Sequence, residues 1–259
     1  MYFRHMNRKI AISLFLAFYK TIGYLFLFIA FGLYLDSKYM APIFENTQYL
    51  ATLVMLIGFF ILFYRSTSRI RSQMLFAVII GFLGEHLFSI ALGMYTYRLG
   101  NVPLYVPPGH AIVYIAAVYF CKDAIVKTQR KQLEKLFTIF VLVYATLFLI
   151  FANDIFGFLM SLLVIFFLRN KPRERLFFLT MYIVVAFLEI VGTHYRCWAW
   201  PNTAYGVFPF LKSANPPSGI SLFYFLLDLG CLWLYKQRNL IAWKRMKGIR
   251  KLKEIQVYS

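Results

Sequence analysis

The chain has 259 residues, of which 28 are Lys or Arg and 10 are Asp or Glu, so its formal net charge is +18. Only 15% of the residues are charged, whereas 61% are hydrophobic and 20% aromatic, and the mean hydropathy is +0.66. Because soluble domains contain about 45–50% apolar and about 25% charged residues, this composition excludes a water-soluble domain and a disordered chain. The three cysteines, Cys121, Cys197 and Cys231, are too far apart for a zinc box or a disulfide framework.

Long apolar stretches follow one another along the chain. They cover residues 10–35, 49–64, 74–97, 111–126, 136–152, 155–168, 176–195 and 220–235. A helix needs about 20 apolar residues to cross a bilayer core about 30 Å thick. Helices satisfy their own backbone groups in lipid, and the stretches lack the alternation of barrel strands. We therefore predict an all-α, polytopic transmembrane bundle that forms a single membrane domain of about eight spans.

One pair of spans has two interpretations. Residues 136–168 are interrupted only by Asn153 and Asp154, and the second arm is short for a crossing. The pair is either a tight hairpin of two full spans or a re-entrant hairpin. A single long helix would place the basic C-terminal tail on the opposite side of the membrane, against the charge distribution.

Basic residues predict the orientation. They are concentrated at the N-terminus (Arg4, Arg8, Lys9), in alternate connections and in the tail over residues 236–259. The other connections hold only Lys38, Arg98, Arg196 and Lys212. By the positive-inside rule, both termini are cytoplasmic. The basic tail is expected to face anionic lipid rather than nucleic acid.

Two segments of the chain have a similar order of residues. The first contains Gly84-Glu85-His86, Gly93-Met94-Tyr95-Thr96-Tyr97 and Pro107-Pro108-Gly109. The second contains Leu188-Glu189, Gly192-Thr193-His194, Trp198-Ala199-Trp200 and Pro216-Pro217. They predict a parallel repeat of four plus four helices, with halves at residues 1–126 and 136–235; coincidence is the alternative, because the pattern is short. Proline suits the first turn of a helix, so Pro108 and Pro217 are predicted to begin the fourth and eighth helices.

Three acidic residues, Glu85, Glu189 and Asp228, lie within the apolar stretches. Because a helix rises about 1.5 Å per residue, the positions of these three acids within their stretches place them in the middle of the membrane. A charge there costs about 2.5–3.5 kcal/mol on insertion scales, so such groups usually face the bundle interior and serve a function. The alternative for Glu85 is an ion pair with Lys20 of the first helix, which would make it structural.

Other candidate site residues lie near the outer ends of the predicted helices. His110 begins the fourth helix, and His194 ends the seventh. The outer loops carry Tyr95, Tyr97, Trp198, Trp200 and Asn215, which we predict to bind substrate; an aromatic belt at the membrane interface is the alternative reading of the rings. The histidines and carboxylates lack the spacing of a metal site, so no metal and no cofactor are expected.

Glu85, Gly93-Met94-Tyr95-Thr96-Tyr97 and the Val-Pro-Leu-Tyr-Val-Pro sequence of residues 102–107 resemble the integral-membrane carotenoid hydratases of the bacterioruberin type. A fainter similarity surrounds Glu189. The resemblance implies lyase-class chemistry on a polyene, in which a carboxylic acid protonates an alkene and water captures the cation.

We therefore expect a multi-pass enzyme of the bacterial inner (cytoplasmic) membrane that performs acid–base chemistry, hydration or isomerisation, on a lipid-soluble carotenoid or isoprenoid. Glu85 would donate the proton, with Glu189 or Asp228 as its partner and His110 and His194 near the outer mouth. The expected partners are the lipid bilayer and a lipophilic small molecule, without nucleic acid. A proton-coupled transporter and a non-catalytic membrane subunit, in which the acids serve helix packing, are the alternatives.

Overall fold

The apolar stretches form helices in the computed structural model, which describes residues 8–44, 46–241, 243–245 and 248. The main helices are α1 (Arg8–Leu35), α2 (Thr47–Arg65), α3 (Ser68–Ala91), α4 (Val106–Lys122), α5 (Ala124–Thr128), α6 (Arg130–Ala152), α7 (Ile155–Arg169), α8 (Arg175–His194) and α9 (Ser221–Arg238). The structure is 74% helical, so the all-α prediction is confirmed.

Two short ribbons connect the helices. Strand β1 (Thr96–Tyr97) pairs antiparallel with β2 (Trp198–Ala199), and β3 (Thr203–Ala204) pairs antiparallel with β4 (Phe208–Lys212). The first ribbon joins the connection after α3 to the connection after α8. It therefore links two parts of the chain that are about one hundred residues apart in sequence.

Five of these helices, α1, α2, α3, α6 and α8, are long and apolar enough to cross a membrane. Many large apolar side chains on the helices face outward; Phe151, for example, is 82% exposed. These features agree with a membrane protein. The count of eight spans and their orientation remain predictions. Arg4 and the tail beyond residue 248 lie outside the described residues, as do Lys247 and its neighbour at position 246.

The chain breaks between α6 and α7, which excludes one long helix over residues 136–168. Asn153 adopts a left-handed conformation (φ 54°), and Asp154 caps α7 by accepting a hydrogen bond from the Gly157 backbone N–H at 3.0 Å. The two helices pack against each other as a hairpin. Whether the hairpin crosses the membrane or re-enters stays open.

Helices α4 and α8 form the centre of the bundle. Most side chains of α8 are buried, including Tyr182, Met181 and Val184, and α4 buries Tyr114 and Ile115 among others. Helix α4 packs on α2, α3 and α8, while α9 packs on α7, α8 and α3. Two of the contacts between the predicted halves, α4 with α8 and α9 with α3, therefore join equivalent helices.

The connections rich in Lys and Arg meet at one end of the bundle, which we name the basic end. Arg69 at the start of α3 lies over the Tyr235 ring near the end of α9, 5.6 Å from its centroid. Arg130 at the start of α6 donates to the carbonyl of Arg173, before α8, at 2.8 Å. The opposite end carries the two ribbons, and we name it the aromatic end.

An arginine holds the corresponding helix end in each half. Arg71 of α3 donates to the Phe63 and Tyr64 carbonyls at the end of α2, at 2.9 and 2.8 Å. Arg175 of α8 donates to the Leu168 and Arg169 carbonyls at the end of α7, at 3.1 and 2.7 Å. Each arginine satisfies carbonyls that have no partner within their own helix. The same contact in both halves favours the predicted repeat.

A buried aspartate fastens the long connection of each half at the aromatic end. Asp36, after α1, pairs with Arg98 and accepts from the Tyr105 hydroxyl at 2.7 Å. Asp154, after α6, accepts from the backbone N–H groups of Ala214 and Ser218 at 3.0 and 2.7 Å. Neither aspartate has exposed surface. Each therefore fixes the segment that leads into α4 or α9.

Two helices begin where the sequence did not predict. Helix α4 has prolines in its first turn, as expected, but α9 begins at Ser221 and not at Pro217. The reason is that Asp154 binds the Ser218 N–H and Gly219 packs directly on the α7 backbone, which holds this segment as a loop. Helix α3 begins at Ser68, six residues before the apolar stretch that starts at Met74. The polar residues in between are helical as well.

Candidate functional site

Glu85 is a buried carboxyl that receives hydrogen bonds from three side chains. The hydroxyls of Tyr95 and Tyr97 donate to its Oε2 atom, Tyr97 at 2.6 Å. His110 Nε2 lies 2.8 Å from its Oε1 atom. Gly81 makes room for this contact, because a Cβ atom there would lie 3.1 Å from the histidine side chain. Glu85 is only 3% exposed and ends the α-helical part of α3, just before a π-helical turn (His86–Ala91).

Glu189 has an equivalent set of donors in the second half. The indole N–H groups of Trp198 and Trp200 donate to its Oε2 atom at 2.8 and 2.9 Å. The Tyr224 hydroxyl donates to Oε1 at 3.1 Å. Glu189 is also 3% exposed. The Trp198 ring fills the space beside Gly192, where a Cβ atom would lie 2.1 Å from it.

The ribbon of β1 and β2 explains why four aromatic side chains reach the two glutamates. Tyr97 lies opposite Trp198 in the antiparallel register. Side chains two residues apart in a strand point to the same face, so Tyr95, Tyr97, Trp198 and Trp200 face inward together. The Tyr95 and Trp200 rings have centroids 4.5 Å apart. One face of a two-stranded ribbon thus supplies two donors to each carboxyl.

The two glutamates line one cavity of about 70 Å³ between the halves of the bundle. This volume is several times the roughly 10–15 Å³ that one water molecule requires. The rest of the wall is largely apolar and comes from α1, α2 and α9, with Ile29, Ala51 and Leu227 as examples. A Cβ atom at Gly32, which also lines the cavity, would have no neighbour within 4 Å. The site can therefore admit an apolar group beside both carboxyls.

The tyrosines of the ribbon are permanent hydrogen-bond donors. Burial, and then the charge of Glu85, holds the pKa of the Tyr95 hydroxyl well above its ordinary value. The same two causes raise the pKa of Tyr97. Both residues lie in the connection after α3, beyond the helix. They keep their protons at physiological pH and donate to Glu85 throughout.

His110 and Tyr224 connect the two carboxyl groups. Their rings are in contact, with centroids 5.1 Å apart and planes tilted by 31° to each other. His110 bonds Glu85 and Tyr224 bonds Glu189, so the ring contact crosses the boundary between the halves. Tyr224 was not among the predicted site residues. Its position shortly after the second Pro-Pro pair, near the start of the last helix, was the sequence feature that could have identified it as a site residue.

The structure leaves three predicted site residues outside the cavity. His194 is exposed at the end of α8, against the neighbouring Tyr195 ring. Asn215 is exposed and accepts from the Trp200 backbone N–H at 3.0 Å, so it positions the ribbon. Asp228 is buried in α9 but does not line the cavity.

The ion pair considered between Lys20 and Glu85 is not present in the part of the chain that the structure describes. Lys20 is exposed on α1, and the partners of Glu85 are Tyr95, Tyr97 and His110. His110 is the one group among them that can carry a positive charge. A histidine therefore occupies the place that the sequence suggested for a lysine.

Comparison of the chain with protein-family models, with curated proteins and with solved structures found no match. Among the described residues, no three His, Cys, Asp or Glu side chains are grouped so that they could hold a metal ion. The geometry of the cavity is therefore what indicates the function.

Proposed function

We propose that the chain is an integral membrane enzyme that protonates a carbon–carbon double bond of a lipid-soluble isoprenoid or carotenoid and then hydrates or isomerises it. The observation that carries the proposal is the pair of buried carboxyls, Glu85 and Glu189, on one mainly apolar cavity. Apolar cavities with a few convergent polar groups are typical ligand sites. Carboxyls that share such a site can act as acid and base.

The hydrogen bonds support different roles for the two carboxyls. Two buried carboxyls that line one cavity are not both ionised easily, so the pair is expected to hold one proton. Glu85 has three donors, including a histidine that can be cationic, and these favour its anion. We therefore assign the proton to Glu189 and the base to Glu85 with His110. The sequence had suggested Glu85 as the donor.

The first step adds a proton to the alkene. The π electrons form a C–H bond with the Glu189 proton, the neighbouring carbon becomes a cation, and Glu189 becomes a carboxylate. The rings of Trp198, Trp200 and Tyr95 face the same space. Aromatic faces attract cations, by about 2 kcal/mol or more when water is excluded. The ribbon can thus stabilise the developing charge.

The second step removes the charge. In hydration, a water oxygen forms a bond to the cationic carbon and one water proton passes to Glu85, which leaves an alcohol. In isomerisation, Glu85 removes a proton from a carbon beside the cation, and the double bond re-forms in a new position. Both routes leave Glu189 ionised and Glu85 protonated, so Glu189 must regain a proton and Glu85 must lose one before the next turnover.

A proton-coupled transporter is the second candidate, favoured by the repeated arginine caps and aspartate clamps of the two halves. Transporters often contain such repeats, with their binding site at the repeat interface. The third possibility is a non-catalytic subunit in which the three buried acids serve only helix packing. It predicts that each acid pairs with a buried cation or amide. Among the described residues Asp228 has neither partner, which argues against this possibility.

The membrane topology belongs to the same proposal. We propose eight spans with the basic end in the cytoplasm, in a bacterial inner membrane, because basic residues favour the cytoplasmic side. With this topology, the cavity would lie near the outer leaflet of the membrane. Glu85 and Glu189 lie about 9 and 8 Å from the aromatic ends of their helices at the usual rise per residue.

A comparison of lipid extracts tests the proposed activity. Cells that express the chain with an isoprenoid or carotenoid supply should accumulate a product heavier than a precursor by one water, or an isomer of equal mass. The measurement is mass spectrometry with chromatography on extracts with and without the gene. The Glu189→Gln variant is the control for membrane insertion. Identical extracts across all available isoprenoid precursors would reject the enzyme and leave the transporter, which uptake driven by a proton gradient would reveal.

A further inference from the structure

Asp228 is a buried carboxyl that the proposed reaction does not use. It is 7% exposed, and its Oδ2 atom has no hydrogen-bond partner among the described residues. The ion pairs of the described chain do not include it. Burial of an unpartnered carboxyl is costly, so such groups are rarely retained without a role.

The position of Asp228 on α9 relates it to the cavity. It lies four residues after Tyr224, whose hydroxyl bonds Glu189. Side chains four residues apart lie on the same helix face, about one turn or 5–6 Å apart. Asp228 therefore lies about one helical turn beyond Tyr224 in the direction of the basic end.

Polar groups continue beyond Asp228 in the same direction. Cys231, one turn later, donates its thiol to the Gln73 carbonyl of α3 at 3.4 Å. Tyr114 of α4 is buried near Cys231, and Arg69 lies further along, at the start of α3. Arg69 in turn lies over Tyr235 at the basic end. Polar groups therefore recur along the seam between α3, α4 and α9, from Asp228 to the basic end.

The other elements around this seam do not supply a competing charge. Helix α8 contributes Glu189 itself, and α7 has no charged residue before Arg169. Helices α3 and α9 pack closely here, since a Cβ atom at Gly84 would lie 2.4 Å from Leu227. Apolar side chains on both sides of the seam therefore separate its polar groups from the surrounding bilayer.

We propose that Asp228 relays protons between the basic end of the bundle and Glu189. A water molecule between the two side chains carries the Asp228 proton to the Tyr224 hydroxyl oxygen, the Tyr224 proton passes to the Glu189 carboxylate, and Asp228 is reprotonated from the basic end. Over one turnover Glu189 gains one proton in this way and Glu85 releases to water the one that it took up, so the number of protons is conserved, and no oxidant or reductant is needed. This relay rests on the proposed function, because it restores the Glu189 acid after each turnover.

Hydrogen–deuterium exchange of the carboxyl groups tests the relay without any substrate. The purified full chain is transferred to D2O, and infrared spectroscopy follows the C=O stretch of its protonated carboxyls; Glu189→Gln identifies the Glu189 band. We expect this band to exchange several-fold more slowly in Asp228→Asn. Tyr224→Phe, which keeps the ring beside His110, should slow it similarly, and Asp228→Glu should restore the rate.

Thr180→Val is the matched control, because it removes a fully buried α8 hydroxyl that bonds only its own helix and Cys121. Unchanged exchange of the Glu189 band in both Asp228→Asn and Tyr224→Phe would overturn the relay, and so would equal slowing in Thr180→Val. If Asp228→Asn does not fold, Tyr224→Phe decides alone. Slow exchange in a chain that forms no product would retain the relay and reject the enzyme.

Discussion

Replacement of Glu189 by glutamine is expected to lower product formation by at least about 100-fold, since general acid–base catalysis contributes about 10²–10⁴-fold. The amide has nearly the same shape as the carboxyl, and its oxygen can still accept from the Trp198 and Trp200 indoles. It cannot deliver an acidic proton to an alkene. The fold should be retained while the first chemical step is lost.

Glu85→Gln and Glu134→Gln complete this experiment. Glu85→Gln removes the base and should lower product formation to a similar extent. Glu134 is the same residue type on α6, paired with Arg130 at 2.7 Å far from the cavity, so its replacement should leave activity unchanged. Product formation is measured per amount of folded protein in the membrane. Full activity in Glu189→Gln would show that the assigned acid is wrong.

Asp154→Ala is expected to destabilise the protein by about 3 kcal/mol or more, because each buried donor left unsatisfied costs about 1–3 kcal/mol. The carboxylate accepts from the backbone N–H groups of Gly157, Ala214 and Ser218. Asp154→Asn should have an intermediate effect, since its oxygen can keep two of these bonds while its NH2 group opposes the third donor. Thermal unfolding in detergent measures the series.

Asp123→Ala is the matched control for this series. Asp123 is exposed and caps the short helix α5 through one bond, from the Ile125 N–H at 2.9 Å. Loss of an exposed cap costs about 1 kcal/mol. Asp154→Ala should also change tryptophan fluorescence, because the loop that it fastens holds Trp200 through Asn215. Equal unfolding temperatures for the two alanine variants would contradict the clamp.

The helices could be predicted from the sequence because lipid-facing and core-facing residues are both apolar, which leaves long uninterrupted stretches. Their starts were less predictable. Arg69 and Arg71 are charged yet helical, so α3 begins at Ser68, before the apolar stretch. This shift places Glu85 about 25 Å along its helix, nearer the aromatic end than the middle.

Contacts between distant segments explain what the sequence did not predict. The buried pair of Asp36 and Arg98 joins residues 62 apart in the chain, and neither has a local motif. Asp154 marked a break between two apolar arms, but its role depends on a loop 60 residues later. Such partners become visible only when the helices are packed.

The sequence identified the four aromatic residues of the ribbon as site residues, but only part of their role. Tyr95, Tyr97, Trp198 and Trp200 were predicted to bind substrate, and the structure shows that each donates a hydrogen bond to a glutamate. Their alternation at i and i+2 in both segments was the signal for a strand pair. His194 resembled His110 in predicted depth, but it is exposed at the end of α8 and does not line the cavity.

Deuterium incorporation tests whether Glu189 delivers a proton to carbon while Glu85 acts as the base. Membranes that contain the chain are incubated with the substrate in D2O, and the product is analysed by mass spectrometry after exchangeable hydrogens are washed back in water. We expect one carbon-bound deuterium per product molecule from the active chain, and no deuterated product from Glu189→Gln. A product that carries no deuterium on carbon would contradict it.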